Sequence, residues 1–343
     1  MKINKKELQE ALTIVKPGLA SKEILEQTTS FAFIDNRVVT YNDEISISHP
    51  VGDIDFEGAV KAEELYGLLS RVSKEEVELE ADGDILKFSC GRVKAGLRLD
   101  KEVFLPIKEP PKRFHKLANP DQFVNFVSLA MRTCSNDISQ PRLTCVFVEN
   151  GGKIIGTDSF RFIQCDGEEM PVEDFLIPAP NAFELVKTNP THIALDEHWL
   201  YFKNEDGTMF SCRRMIDEYV PQEKIDKLFR FKKEKEVVFP KKIEEMLETV
   251  KKFSKRGFAL DEIVEVLIKE GKVLLRAEAE DTKSWVTEEA SIKYKKKLSF
   301  IITPSLFEYI LKINRAFFLD QDITKMRFTG PDWQYVILLR EEG

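Results

Sequence analysis

The side chains with obvious chemical potential in this 343-residue chain are four histidines (His49, His115, His192, His198), five cysteines and one Asp158/Arg161 pairing. None is spaced for catalysis. The histidines lack the HExxH arrangement that sets two imidazoles on one helix face around zinc, and no two cysteines stand as CxxC. No GxGxxG or GxxxxGK[ST] phosphate loop and no GxSxG elbow occurs. An Asp three residues before an Arg is the spacing of an ion pair that ties a turn. The cysteines (Cys90, Cys134, Cys145, Cys165, Cys212) are odd in number and set in apolar runs, so they read as reduced core residues. The chain is therefore expected to be no enzyme, with no cofactor and no metal.

The remaining chemistry is that of phosphate. Lys16, Arg71, Arg132, Lys187, Lys251 with Lys252, and Lys312 with Arg315 all fall late in helical stretches. One such cation merely complements a helix C-terminus, by about 0.3–1 kcal/mol. A whole set, on helices related by repetition, would line up as a basic track that grips phosphates without reading sequence. Its setting is acidic, since 51 Lys and Arg face 59 Asp and Glu for a formal charge of −8. That balance excludes a protein that coats nucleic acid with its entire surface.

The helices that must position these cations recur with a slow drift. Apolar residues at helical spacing appear as Leu8/Ala11/Leu12/Val15, Leu65/Leu68/Leu69/Val72, Phe123/Phe126/Val127/Ala130, Ala182/Leu185/Val186, Ile243/Met246/Leu247/Val250 and Leu306/Tyr309/Ile310/Ile313. Successive first members are separated by 57, 58, 59, 61 and 63 residues, which marks an internal repeat. The sixth copy is the clearest: the run Phe300–Ile302 reads as a strand entering a helix, with Thr303 placed to cap it and Pro304 at its first position. After each helix come alternating runs broken by turn pairs such as Asp35-Asn36, Asp82-Gly83, Asn150-Gly151, Asp206-Gly207 and Glu270-Gly271. Each repeat is thus strand, helix, then about three antiparallel strands, an α+β plan. One helix cannot cover the apolar face of one such sheet, so the repeats must pair. Pairing predicts three similar domains, residues 1–112, 113–229 and 230–343, with polar joints at Lys108–Arg113 and from Pro221–Lys224 through Lys232–Lys235.

No apolar run approaches the ~20 residues of a membrane span. The start, Met1 to Glu7, turns amphipathic at once and offers no signal-peptide core, so a cytoplasmic protein is expected.

Particular motifs then resemble one family. Gln140-Pro141-Arg142-Leu143-Thr144-Cys145-Val146 is similar to the Arg-Pro-x-Leu-Thr-Gly-Val strand of the bacterial-type DNA sliding clamp, the beta subunit of DNA polymerase III. Gly156-Thr157-Asp158-Ser159-Phe160-Arg161-Phe162 resembles that family's Ala-Thr-Asp-Gly-His-Arg-Leu turn, and Tyr335-Val336-Ile337-Leu338 the start of its Tyr-Val-Val-Met-Pro-Met-Arg-Leu ending. The chain departs from the pattern at Gln140, Cys145, Ser159, Phe160 and after Leu338. The resemblance implies a DNA replication processivity factor: a homodimer forming a ring, with helices lining the hole around duplex DNA and strands forming the outer wall. It further implies a clamp loader, the replicative DNA polymerase and other clamp-binding-motif proteins as partners. Their peptides would enter a pocket using Leu143, Thr157, Arg161, Phe162, Pro221, Val336, Ile337 and Leu338. Lys22, in the loop after the first helix, would join the DNA-facing cations, and Phe104 would stand at the dimer interface. The competing reading is a clamp-fold decoy or scaffold that binds such peptides without encircling DNA.

Overall fold

Each expected repeat folds as one helix and four strands. In the computed structural model, which describes residues 1–232 and 235–340, repeat one is β1 (Lys2–Asn4), α1 (Lys5–Val15), β2 (Ser30–Ile34), β3 (Arg37–Tyr41) and β4 (Ile45–Pro50). Repeat two is β5 (Gly58–Lys61), α2 (Ala62–Arg71), β6 (Glu76–Asp82), β7 (Ile85–Cys90) and β8 (Val93–Arg98). Repeat three is β9 (His115–Lys116), α3 (Pro120–Ala130), β10 (Cys145–Val148), β11 (Lys153–Thr157) and β12 (Arg161–Asp166), and repeat four is β13 (Phe175–Pro178), α4 (Ala179–Leu185), β14 (His192–Leu195), β15 (Trp199–Lys203) and β16 (Met209–Arg213). An additional helix, α5 (Gln222–Phe229), precedes repeat five: β17 (Lys235–Val238), α6 (Ile243–Lys251), β18 (Val264–Lys269), β19 (Lys272–Glu278) and β20 (Trp285–Ser291). Repeat six is β21 (Leu298–Ile302), α7 (Pro304–Ile313), β22 (Ala316–Leu319), β23 (Lys325–Gly330) and β24 (Trp333–Leu338). No helix among the described residues is long and apolar enough to cross a membrane.

Contacts gather the chain into two compact units, the first of residues 1–131, 148–152 and 168–217, the second of residues 132–147, 153–167 and 218–343. In the first unit, paired repeats exchange their opening strands: β1 joins β6, and β5 joins β2. This exchange is why a repeat cannot stand alone. The third hairpin strands of repeats one and four then pair, β4 on β16, making one sheet in the order β5-β2-β3-β4-β16-β15-β14-β9. The other sheet, β1-β6-β7-β8, ends on β8. The second unit follows the same rule, with β17 on β22, β21 on β18 and β12 on β24. Its long sheet runs β10-β11-β12-β24-β23-β22-β17, and its four-stranded sheet β20-β19-β18-β21 ends on β20.

The stripes of α1, α3 and α6 bury as their periodicity requires, with Leu8, Ala11, Leu12 and Val15 of α1 and Ile243, Met246, Leu247 and Val250 of α6 in the core, whereas Leu68 of α2 and Val186, just past α4, are only half-buried. Two expectations for α7 need correction. Its buried residues are Pro304, Leu306, Phe307, Ile310 and Leu311, so the stripe is rotated: Phe307 takes the core place against Phe328, while Tyr309 is half-buried and Ile313 exposed. Thr303 stands at the N-cap, but its buried side chain makes no capping bond, and its carbonyl takes the Leu306 N–H instead. Asn4 and Asn119 do cap α1 and α3 through their side chains. The hairpin at Asp35-Asn36 has φ of 49° and 59°, the doubly left-handed turn whose twist matches antiparallel strands.

Both stretches read as joints carry structure. Val103, Leu105 and Phe114 pack on the first unit's long sheet, against Ala32, Tyr41 and Trp199, so residues 103–114 form a strap. The joint beginning at Pro221 contains α5, an amphipathic helix that buries only Ile225 completely. Lys233 and Glu234, at the end of that joint, lie outside the described residues.

Candidate binding face and cation sites

Every residue the resemblance places at a pocket lies in the second unit, and strand register sorts them. Residues opposite one another in a ladder share a face of the sheet. Thr157 opposes Phe162, Phe162 opposes Val336, and Leu338 lies two residues further along the strand, so these four share one face. Arg161 opposes Ile337 and points to the other face, where Tyr335 directs its hydroxyl to the Leu306 carbonyl of α7. Helix α5 packs on β24, and Lys325, opposite Leu338, donates its ammonium to the carbonyls of Lys227, Leu228 and Arg230 at 3.3, 2.9 and 2.6 Å. The C-terminal end of α5 is thereby fixed over the Phe162/Val336/Leu338 face, where its orphan carbonyls meet a cation.

The turn between β11 and β12 is tied by its own side chains. The Thr157 hydroxyl donates to the Arg161 carbonyl and accepts the Ser159 N–H, at 2.9 and 3.0 Å. Asp158 accepts the N–H groups of Phe160 and Arg161 and the Arg161 guanidinium, the last at 2.8 Å, with both charged side chains largely buried. Asp158 and Arg161 therefore form a structural pair. Ser159 sits at φ 76°, where the clamp motif has glycine. Leu143 is buried in a 3-10 turn that packs beside β11. Among the eight residues, Leu143, Thr157, Phe162, Val336 and Ile337 are each at most 7% exposed, so what a ligand could reach is the half-buried Leu338 and the exposed Pro221. Phe160, 45% exposed with its carbonyl bonded to the Leu338 N–H, borders them. Sequence reasoning passed over Phe160 and α5. The signal for α5 was Pro221 ahead of Ile225, Leu228 and Phe229 at helical spacing.

Beneath this turn Cys134 and Cys145 are buried and the half-buried Tyr219 has its hydroxyl enclosed, and burial pushes the Cys134 thiol and the Tyr219 phenol well above their ordinary values. Such thiols stay protonated and unreactive.

The predicted cations divide by environment. In the first unit, Lys16 is exposed just beyond α1, its ammonium 4.7 Å from the Tyr66 ring centre, and Arg71 closes α2. Lys22 is exposed in a loop beside Ile24, which is 91% exposed. Lys187 is bonded to both oxygens of Glu184 at 2.8 Å. In the second unit, Arg132 lies over the Tyr309 ring at 5.3 Å, Lys251 pairs with Glu308 of α7, and Lys252 and Lys312 are exposed. Lys16, Lys22, Arg71, Lys252 and Lys312 make no ion pair among the described residues, whereas Lys187 and Lys251 are neutralised locally. Arg315 lies past α7 and lines a separate concavity of about 510 Å³. Phe104 stands on the strap, 54% exposed, its N–H held by the buried Gln27 side chain at 2.8 Å.

No protein-family model matches the chain, and no curated protein matches it by sequence. Solved structures do match along the whole chain. The DNA polymerase III beta subunit of Thermotoga maritima is 18% identical with a TM-score of 0.82, covering 100% of this chain and 99% of that one. The beta subunit from Streptococcus pyogenes is 17% identical at 0.84, covering 99% of each chain. A Pseudomonas aeruginosa sliding clamp, crystallised bound to griselimycin, is 15% identical at 0.85, covering 100% and 99%. Six strand–helix–strand repeats, paired by strand exchange, thus give this chain the fold of the bacterial DNA polymerase III beta sliding clamp.

Proposed function

We propose that this protein is a DNA polymerase processivity clamp, in which two copies close head to tail around duplex DNA. One observation carries the reading. In each long sheet the third hairpin strands of two repeats pair, β4 on β16 and β12 on β24, while the equivalent strands of repeats two and five, β8 and β20, are sheet edges. An open edge is a template for another strand. If β8 of one copy takes β20 of a second, all three third-strand pairings become alike, and two copies satisfy both edges. Charge agrees in sign, since β8 presents Lys94 and Arg98 while β20 presents Glu288 and Glu289, with Arg98 shared with Asp100 and Glu289 with Lys272 inside the chain. The exposed ring of Phe104 remains available to the partner.

Within such a ring, exposed cations at helix ends would hold phosphates weakly and without sequence preference, which permits sliding. The accessible surface made by Leu338, Pro221 and Phe160 would take short peptides from the polymerase, the clamp loader and other partners, with apolar anchors as the source of affinity. The decoy reading draws support from Lys187 and Lys251, whose charges are spent on Glu184 and Glu308.

Retention on DNA separates the two readings. The protein is loaded onto nicked circular plasmid with a clamp loader and ATP, then the circle is cut in moderate salt. A ring stays on the circle and is lost on linearisation. Equal retention on both, or none on either, favours the decoy.

A further inference from the structure

The concavity that contains Arg315 is lined by Phe239, Pro240, Tyr294, Lys241 and Lys293, with Glu236 as a lining carboxylate. Lysines continue beyond it: Lys242 follows Lys241, and Lys295, Lys296 and Lys297 complete the loop between β20 and β21, all exposed. Three cations, Lys241, Lys293 and Arg315, thus line one largely apolar hollow, and four more exposed lysines follow them directly in the chain, in a protein of net charge −8. Lys241, Lys242, Lys293, Lys295, Lys296, Lys297 and Arg315 make no ion pair among the described residues, unlike Lys251 and Lys272 nearby in sequence, which hold Glu308 and Glu289. The loop has no need of this charge to fold, because its packing rests on the buried Ile292, whose N–H is bonded to the Gly271 carbonyl at 2.8 Å.

We propose that this hollow is a binding site for single-stranded nucleic acid, with phosphates on the lysines and a base against Tyr294. Cations alone would suit any polyanion. The half-buried Tyr294 between Lys293 and Lys295, lining the same hollow as Phe239 and Pro240, suits a strand whose base faces are free, the combination by which non-specific single-strand sites work. A duplex keeps its bases stacked and would use only the charge. The site is distinct from the helix-end cations apart from Arg315, and it does not require a closed ring, so a linear oligonucleotide suffices to probe it.

The test is fluorescence anisotropy with a labelled oligothymidylate and with a duplex of equal length, over a range of salt. Joint replacement Lys293→Ala, Lys295→Ala, Lys296→Ala and Lys297→Ala is expected to weaken single-strand binding at least tenfold and to flatten its log–log salt slope by about 2–3, at roughly 0.7 for each phosphate no longer neutralised. Tyr294→Leu, which keeps the charge, is expected to weaken the single strand about tenfold and leave the duplex unchanged. A matched variant lacking Lys74, Lys108, Lys112 and Lys116 controls for net charge, and thermal melting confirms folding. Equal losses in the control overturn the site. Equal binding of duplex and single strand, indifferent to Tyr294→Leu, overturns the single-strand assignment. Stronger competition by oligoglutamate than by oligothymidylate also overturns it, in favour of an acidic peptide.

Discussion

At the scale of single residues, Ser159 is the clearest compromise. Its φ of 76° puts a Cβ where L-residues meet the neighbouring carbonyl, a cost of roughly 1–2 kcal/mol, and the turn is kept only because Thr157 and Asp158 tie it. Ser159→Gly removes the clash but adds about 0.5–1 kcal/mol of backbone entropy to the ordering cost. The variant is therefore expected to be more stable by up to about 1.5 kcal/mol, read by urea denaturation. His49 makes a second residue-level prediction. Its ring lies 2.7 Å from the Thr208 hydroxyl and 3.9 Å from Asp206, beside the β4–β16 joint. Burial holds its pKa below the ordinary 6.5, Asp206 opposing the shift and Arg37 adding to it. The unfolded chain then takes up a proton as pH falls through 6.5 while the folded chain resists, so stability drops on acidification below 6.5. Asp43 and Asp206, whose pKa values lie below the usual 3.8, lose their contribution only in more acid solution. Melting temperature should fall between pH 6.5 and 4.5, and His49→Gln should flatten that slope.

At the scale of elements, α5 is held by one side chain. Lys325 is only 12% exposed, with Asp320 3.9 Å away and three carbonyls as acceptors, two in the last turn of α5 and the third at Arg230 just after it. Burial lowers its pKa, and Asp320 opposes that shift. Lys325→Met leaves those carbonyls without their charged donor, an expected loss of about 2–3 kcal/mol for a hydrogen-bonded charged group. Hydrogen exchange should accelerate across residues 222–232 while the β24 amides remain protected. Uniform acceleration through the whole second unit would contradict local anchoring.

At the scale of the whole molecule, the question is what meets β8 and β20. If these edges join two copies, Lys94→Glu with Arg98→Glu should convert the dimer to a monomer in sedimentation, and so should Glu288→Lys with Glu289→Lys. Mixing the two variants should restore association as a heterodimer, because one joint then pairs the two unaltered edges and the other the two reversed edges, so charges are opposite across both. Two variants that both remain dimeric would place the interface elsewhere.

The sequence by itself determined the six repeats, their helices and their hairpins. These rest on local rules: a 3.6-residue apolar period, alternation in strands, and turn pairs such as Asp35-Asn36 that accept left-handed φ. It also marked where Asp158 and Arg161 would meet, because they are three residues apart. Only the tertiary structure decided the rest. Strand exchange between β1 and β6, the joining of β4 to β16, and the facing of Thr157 with Phe162 and Val336 but not with Arg161 depend on register between distant segments, where a one-residue slip inverts every face. The same holds for α7, whose stripe turned toward Phe307 because Phe328 offered its ring a place in the core, and for α5, whose single buried Ile225 says little until the sheet beneath it exists.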